Sequence, residues 1–199
     1  MRKFLTLGIA CVCAALSVAL PVSAKSPTGS VLRLSDLPAG WVVNHSALVG
    51  FTPPCLASAE APLAPYPKAT VTGAGEPGDL AQFVERVVSI PRRILRARYS
   101  AVLQRYAACN GSTFTRGMMK FNLLIERRAV PAFGDTQATG FSISTSSPST
   151  NVEPNPYPGL VDVAVVGTKV VVLSMLFADI PVDTATFDSI EAKAVARAE

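Results

Sequence analysis

One stretch of this chain, residues 92–109, constrains its fold more than any other. On a helical wheel of about 3.6 residues per turn, the apolar side chains of this stretch fall on one arc, as in a helix with one buried face; they are Leu95, Tyr99, Val102, Leu103 and Tyr106. Cys109 closes the last turn at the edge of that arc. The sequence therefore predicts an amphipathic helix that ends in a cysteine.

Residues 1–24 are typical of a secretory signal peptide. Arg2 and Lys3 form the charged end, residues 4–20 are apolar, and residues 22–24 offer small side chains for cleavage. The apolar run has about 17 residues, which is short for a membrane span, so an uncleaved anchor is the alternative. We expect a mature protein that is secreted or held in the cell envelope and does not span a membrane.

Removal of this segment leaves two cysteines, Cys55 and Cys109. An exported chain folds in an oxidising compartment, where an even number of cysteines indicates a disulfide. Two buried free thiols are the alternative. Loss of Arg2 and Lys3 also lowers the net charge below the +4 of the full sequence, and no nucleic-acid partner is implied.

The remaining chain is dominated by strand patterns. Residues 80–90 fit a short capped helix or a strand, and their β-branched end before Pro91 favours the strand. Asp183 is expected to cap a C-terminal helix, and the Pro- and Ala-rich residues 53–67 are expected to form a loop held by the disulfide. Strands are predicted at 69–73, 119–130, 137–145, 161–166 and 169–177, the last two joined by a two-residue turn that begins with glycine.

The predicted fold class is α+β. We expect a mainly antiparallel sheet of five to six strands with two main helices packed on it. Residues 25–33 are predicted to be a flexible lead, and residues 34–199 a single domain.

The sequence offers few components for catalysis. No Gly-x-Ser-x-Gly motif or phosphate-binding glycine loop is present. Because His45 is the only histidine, the sequence provides few of the residues that a catalytic triad or a histidine metal site needs. No catalytic residue, metal site or cofactor is predicted. A carboxylate pair assembled by the fold is the alternative, although the acidic residues are scattered; they include Glu85, Glu126, Asp135, Glu153 and Asp162.

Arginines are concentrated on the predicted main helix. Arg98 and Arg105 flank one side of the apolar arc, and Arg93 and Arg96 flank the other. Such residues ordinarily form a solvated rim whose aliphatic stems cover the edge of a buried face. The more specific interpretation is that these four arginines form an anion site for phosphate, an acidic lipid or an acidic glycan of the envelope.

Several motifs occur in an order that resembles a known family. They are Asp-Leu-Pro-Ala-Gly-Trp at 36–41, a cysteine, a strand, a helix ending in Tyr-Ala-Ala-Cys at 106–109, Gly-Asp at 134–135 before a strand, and residues 162–172 with Gly167 inside them. Together they cover most of the mature chain. They resemble small secreted or lipid-anchored proteins of mycobacteria and relatives. This is the sensor-domain or PknH-like extracellular-domain family, which is named after the extracellular portion of a receptor Ser/Thr kinase.

The resemblance implies a curved antiparallel sheet with helices against one face and a cleft for a ligand. It favours a strand at residues 80–90. The kinase sensor carries two disulfides, whereas the expected mature chain has cysteines for one. The family offers no catalytic residues to transfer, and without a kinase domain or membrane stalk in this chain no signalling output is carried over.

The expected function is that of an exported, non-catalytic binding or sensor-like module of the cell envelope. Its partner is expected to be an unidentified small molecule, lipid or envelope glycan. One alternative is a carrier for a lipid or other apolar molecule, which a cavity of several hundred cubic ångströms between sheet and helices would favour. A hydrolase is the other alternative, which acid and base groups converging at a pocket would favour.

Overall fold

The structure is a computed structural model that describes residues 27–43, 52–75, 81–148, 157–177 and 182–199. The predicted signal peptide and His45 lie outside these residues, so the structure does not bear on them.

One antiparallel sheet of eight strands organises the described part of the chain, in the order β1-β2-β3-β8-β7-β6-β5-β4. The prediction of five to six strands is wrong, while the antiparallel α+β class agrees with the structure. The two unpredicted strands, β1 and β4, lie at the sheet edges and have only two and four residues, too few to show an alternating pattern. The strands are β1 Val42–Val43, β2 Lys68–Ala74, β3 Ala81–Ser89, β4 Thr113–Arg116, β5 Met119–Arg128, β6 Gln137–Ser146, β7 Gly159–Val166 and β8 Lys169–Phe177.

The described residues form three α-helices: α1 Pro54–Ala59, α2 Arg92–Ala108 and α3 Thr184–Ala198. The two long helices lie where the sequence predicts them. The prediction of an irregular loop at 53–67 is wrong, because α1 and a 3-10 turn at Ala61–Leu63 occupy much of it. Both begin with a proline in the first turn, where its missing N–H is not needed for a helical hydrogen bond.

The two long helices pack on opposite faces of the sheet. Along β8, Val170 and Val172 belong to the apolar cluster that contains α2, whereas Val171 and Leu173 belong to the cluster that contains α3. A strand covered on both faces is apolar almost continuously, as β8 is. The arrangement implied by the family resemblance, with helices against one face, therefore does not hold here.

Local signals at one turn and at one helix start agree with the structure. Gly167 begins the turn between β7 and β8 with φ of +59°, a conformation that favours glycine. Asp183 caps α3, and its side chain accepts a hydrogen bond from the Thr186 N–H at 3.0 Å. The conformation at each of these two places is therefore determined by the residues that lie there.

The N-terminal segment packs on the α3 side of the sheet. Leu32 is buried in the same apolar cluster as Phe83 of β3 and Phe187 of α3. Asp36 accepts two hydrogen bonds from Arg197 of α3, each at 2.8 Å. Of the predicted flexible lead the structure describes residues 27–33, which therefore include a buried side chain.

Candidate functional site

The structure does not gather the four arginines that the sequence nominates for anion binding. Arg93 and Arg96 are exposed on α2. Arg98 donates through Nε to the Tyr66 hydroxyl at 3.1 Å, and Arg105 donates to the backbone carbonyl of Ser58 at 3.3 Å. No two of them share a partner among the described residues.

A disulfide joins Cys55 of α1 to Cys109 at the end of α2, as predicted, with the two Cα atoms 5.7 Å apart. Cys109 is buried in the cluster beneath α2, together with Leu56 and Leu63. The disulfide therefore fixes α1 and the following turn against α2 and the sheet.

An ion pair lies between α1 and the sheet. The carboxylate of Glu60, directly after α1, accepts hydrogen bonds through Oε1 from Arg86 of β3 at 2.7 Å and from the Tyr106 hydroxyl of α2 at 3.1 Å. The side chain of Glu60 is 14% exposed and that of Arg86 30%. Three separate elements thus meet at one carboxylate oxygen.

This ion pair lines an open cleft of about 400 Å³, which we call the Glu60–Arg86 cleft. Its other walls are Ala57, Ala61, Leu63, Ala64, Lys68 and Val88. One wall is therefore made of small apolar side chains, and the other carries the two cations Lys68 and Arg86. Glu60 supplies the only carboxylate of this lining.

Behind the ion pair lies a much smaller chamber, of about 60 Å³. It shares Ala57, Glu60 and Arg86 with the outer cleft, so the ion pair separates the two spaces. Leu56 and Leu176 are among its apolar walls. This volume is far below the ~300–1,000 Å³ that is typical of a small-molecule site.

Burial governs the electrostatics of the cleft. It raises the pKa of Glu60, against the opposing effects of Arg86, the Tyr106 hydroxyl and Lys68. The pKa of Tyr106 lies well above its usual value, because the hydroxyl is buried and faces the Glu60 carboxylate. Tyr106 therefore remains a neutral donor to Glu60.

A second charged cluster lies on the α3 side of the sheet. The register places Arg128, Gly140 and Asp162 side by side on β5, β6 and β7. Arg128 Nε donates to Asp162 Oδ1 at 3.0 Å, and a terminal N–H of the same guanidinium donates to the second carboxylate oxygen. A Cβ atom on residue 140 would lie 2.5 Å from Asp162 Oδ1 and 2.7 Å from Arg128 Cγ. Only glycine leaves room for this pairing across three strands.

Helix α3 adds two more carboxylates to this cluster. Arg128 donates to Asp188 Oδ1 at 3.0 Å, and its terminal nitrogen lies 3.7 Å from Glu191 Oε2. The guanidinium carbon lies 4.9 Å from the centre of the Phe187 ring, a cation–π contact. We call Arg128, Asp162, Asp188 and Glu191 the Arg128 network.

Two acids of the Arg128 network, Asp162 and Glu191, favour protonation. Burial raises the pKa of Asp162. Burial, and then the neighbouring Asp162 carboxyl, raise the pKa of Glu191 to about 9. With both acids ionised, Glu191 has no hydrogen-bond partner among the described residues, whereas protonated Glu191 can donate to Asp162. The two acids therefore share a proton at neutral pH.

The fold thus assembles carboxylates that are far apart in sequence. Oxygens of Asp162, Asp188 and Glu191 lie within 4.8 Å of one another, a spacing that could hold a metal ion. Arg128 already places its guanidinium among them and supplies the positive charge. We therefore assign the network a structural role, which is to hold α3 on the sheet.

Glu85 is buried on the same side of the sheet, with 0% of its surface exposed. Its Oε2 accepts the Leu32 N–H at 2.8 Å, and Oε1 has no partner among the described residues. Burial raises the pKa of Glu85 to about 7, with the Leu32 N–H opposing this and the Asp36 charge adding to it. Glu85 thus anchors the N-terminal segment to β3.

These raised pKa values predict an unusual dependence of stability on pH. The folded state binds protons at Glu60, Glu85, Asp162 and Glu191 more tightly than the unfolded chain does. Their contribution to the free energy of unfolding is therefore complete below the unfolded pKa and is lost as pH rises through the folded pKa, which is about 7 for Glu85 and about 9 for Glu191. We expect the urea midpoint to fall steadily from about pH 5 to about pH 9.

Amide variants test the origin of that slope. Glu191→Gln should flatten the alkaline part of the curve, and Glu85→Gln the part around neutrality, because glutamine does not titrate. Glu126→Gln, on the exposed face of β5, is the matched control and should leave the slope unchanged. A urea midpoint that rises between neutral and alkaline pH would contradict the assignment.

Sequence reasoning missed the cleft residues Glu60, Lys68 and Arg86, although one signal was available. Glu85 and Arg86 are adjacent charges inside an apolar strand. Because neighbouring residues of a strand point to opposite faces, such a pair serves two different sites. Glu85 indeed faces the α3 side and Arg86 the α2 side. No local signal could have shown that Glu60 would meet Arg86.

A wider surface hollow, of about 570 Å³, lies beside the end of α3. Its walls include Phe133, Val165, Ala192 and Val195, with Asp135 and Glu199 as its charged groups. Neither acid has a hydrogen bond or ion pair within the described residues that would fix it toward the hollow. We therefore regard the Glu60–Arg86 cleft as the candidate site, because Glu60 and Arg86 hold each other in place at its wall.

Comparisons with known proteins give limited information. No protein-family model matches the chain, and a search of curated proteins found no match. In the parts of the chain that the structure describes, no helix is both long enough and apolar enough to cross a membrane.

Two solved structures are similar to this chain at low sequence identity. The chain is similar to the extracellular domain of PknH from Mycobacterium tuberculosis, with a TM-score of 0.49 and 16% identity over 81% of this chain and 78% of that one. It is also similar to cyanobacterial PsbP (CyanoP) from Synechocystis sp. PCC 6803, with a TM-score of 0.36 and 11% identity over 83% of this chain and 87% of that one. At these values the likeness carries no argument about function or family membership.

Proposed function

We propose that this protein is an exported, non-catalytic binding module of the cell envelope whose ligand occupies the Glu60–Arg86 cleft. The observation that carries the proposal is the half-buried Glu60–Arg86 pair, which three elements hold at the wall of an open space of about 400 Å³. Small-molecule sites are typically clefts of about 300–1,000 Å³ with a few fixed polar groups.

Export is supported by the disulfide and by the signal-like segment at residues 1–24. A disulfide that joins α1 to α2 forms and persists in an oxidising compartment. Because the disulfide holds one wall of the cleft, export and ligand binding are linked: the site is complete only where the disulfide can form.

Binding is favoured over hydrolysis by the chemistry of the acids. In the cleft, Glu60 is engaged by Arg86 and Tyr106 and faces no second acid or base. In the Arg128 network, Asp162 and Glu191 have side chains that are 1% and 2% exposed, and Asp188 is the more exposed acid. A general acid or base must reach a substrate proton within hydrogen-bond distance, which these buried acids do not.

A carrier for long lipids is less well supported than a small-ligand module. The chamber behind the ion pair holds only about 60 Å³, far below the ~300–1,000 Å³ that is typical of sites for small molecules, so it does not accommodate a long acyl chain. The larger space is open to solvent and carries cations on one wall.

The proposal is tested by what accompanies the natively exported protein. We expect mass spectrometry to find one small molecule that co-purifies with the wild-type protein and is lost from Ala61→Trp, in which an indole fills the cleft. Ala192→Trp, which fills the wider hollow beside α3, is the control and should retain it. Loss only from Ala192→Trp, or equal recovery from all three proteins, would count against the proposal.

A further inference from the structure

We propose that the ligand of the Glu60–Arg86 cleft is a small organic anion, a carboxylate or phosphate monoester with a compact apolar body, held by Arg86 and Lys68. This inference rests on the proposed binding function and names the class of ligand. It moves the anion site from the α2 arginines to the sheet.

Arg86 and Lys68 supply hydrogen-bond donors to the cleft that no described residue uses. A guanidinium carries five N–H donors and an ammonium three. The Arg86 side chain donates from one terminal nitrogen to Glu60 and makes no other hydrogen bond among the described residues. The Lys68 side chain makes no hydrogen bond to a described residue. Carboxylate and phosphate oxygens accept such charge-assisted hydrogen bonds with the best energy and geometry. The cleft therefore presents two cations to whatever enters it.

Glu60 carries a negative charge that would oppose an anion in the cleft. Its Oε1 accepts from both Arg86 and the Tyr106 hydroxyl, so the carboxylate is directed inward, toward the chamber and α2. Burial also raises the pKa of Glu60, which weakens the repulsion as pH falls. Glu60 therefore acts as a positioning residue that orients Arg86, rather than as a competitor for the cations.

The wall opposite the two cations is apolar. Ala57, Ala61 and Ala64 follow one another along α1 and the next turn, and with Leu63 they line the cleft facing the cations. Small apolar side chains offer no hydrogen bonds, so they suit the hydrocarbon part of a ligand and not the hydroxyl groups of a sugar. A volume of about 400 Å³ suits a compact body. Together these features select an amphiphilic anion over a glycan.

The remaining arginines support this placement. Arg98 and Arg105 are engaged by Tyr66 and by the Ser58 carbonyl, so they stabilise the outer side of the same α1 segment. Arg93 is exposed on α2 and has no partner among the described residues. It therefore provides a matched control, because its removal changes the net charge as much as removal of Lys68 does.

The experiment is an NMR titration of the disulfide-bonded mature protein, with backbone amide signals as the readout. The probes are hexanoate, hexyl phosphate, inorganic phosphate and hexanol. We expect the two amphiphilic anions to shift the signals of Ala61, Ala64 and Lys68, with affinities at least about tenfold higher than that of hexanol. Inorganic phosphate should bind more weakly than hexyl phosphate, because it lacks the apolar body. The ratio of hexanoate to hexyl phosphate affinity distinguishes a carboxylate from a phosphate ligand.

Variants locate the interaction. Lys68→Gln and Arg86→Gln should each weaken hexanoate binding at least about fivefold, whereas Arg93→Gln should leave it unchanged. The Lys68 side chain makes no hydrogen bond within the part of the chain that the structure describes, so Lys68→Gln keeps the test valid if Arg86→Gln unfolds. Equal weakening by Arg93→Gln and Lys68→Gln would overturn the assignment.

The outcomes separate this inference from the proposed function. If hexanol shifts the cleft signals with the same affinity as hexanoate, the ligand class is wrong and the binding cleft stands. If none of the four probes shifts any cleft signal, the inference is overturned. The co-purification experiment with Ala61→Trp then decides separately on the cleft.

Discussion

Replacement of Arg128 by methionine is expected to lower the free energy of unfolding by roughly 3–5 kcal/mol, because it leaves the buried negative charge that Asp162 and Glu191 carry together without a counter-charge. The Arg128 side chain is 11% exposed and that of Asp162 only 1%, and both oxygens of Asp162 accept hydrogen bonds from the guanidinium. Urea unfolding at neutral pH measures the loss. The loss should shrink in acid, where Asp162 and Glu191 are protonated in both proteins.

Two further variants identify the source of this effect. Arg127→Met changes the preceding residue, which is exposed, and should alter the free energy of unfolding by no more than about 0.5 kcal/mol. Adding Asp162→Asn to Arg128→Met should restore part of the loss, because one buried charge is then removed together with its partner. If Arg128→Met is no more destabilising than Arg127→Met, the network does not hold α3 on the sheet.

Removal of the disulfide is the second change with a large expected effect. The cysteines are separated by 54 positions, and closing a loop of that length restricts the unfolded chain by about 4 kcal/mol in the entropy model. We expect Cys55→Ala/Cys109→Ala to lower the free energy of unfolding by roughly 2–5 kcal/mol. Alanine is used at both positions because Cys109 is buried, where a serine hydroxyl would need a partner.

The loss should also be local. Hydrogen exchange should show that amides of α1 lose protection more than those of β7 and β8, because α1 is short and attached mainly through the disulfide and its contacts to α2. Reduction of the wild-type protein should reproduce the same pattern. Complete alkylation of both cysteines in the natively exported, unreduced protein would contradict the disulfide, and the cleft would then lack its fixed wall.

The sequence by itself determined the long elements of this fold. The period of the apolar residues at Leu95, Tyr99, Val102 and Tyr106 places them on one side of a helix whatever lies beneath it, and all four are buried. The apolar runs of β7 and β8 are likewise long enough to be distinguished. The pairing of Cys55 with Cys109 follows from the cysteine count and the predicted export.

The tertiary structure decided which short segments became regular. Strands β1 and β4 contain two and four residues, and each is a strand because a longer neighbour pairs with it. Helix α1 was missed because its proline is favourable only in the first turn, and the sequence does not say where a first turn begins. The tertiary structure also decided on which faces of the sheet α2 and α3 pack. A strand that is buried on both faces has the same apolar pattern whichever helix covers each side.

The charged sites depended most on the tertiary structure. Arg128, Asp162 and Glu191 are separated by many residues, and they meet because Gly140 leaves space between two strands and α3 crosses above it. Glu60 meets Arg86 because the disulfide holds α1 over the sheet. A periodic pattern reports only the burial of each residue in its own element, so the sequence could predict which faces are apolar. It could not predict which charges those faces would bring together, because that depends on register and on contacts between elements far apart in the chain.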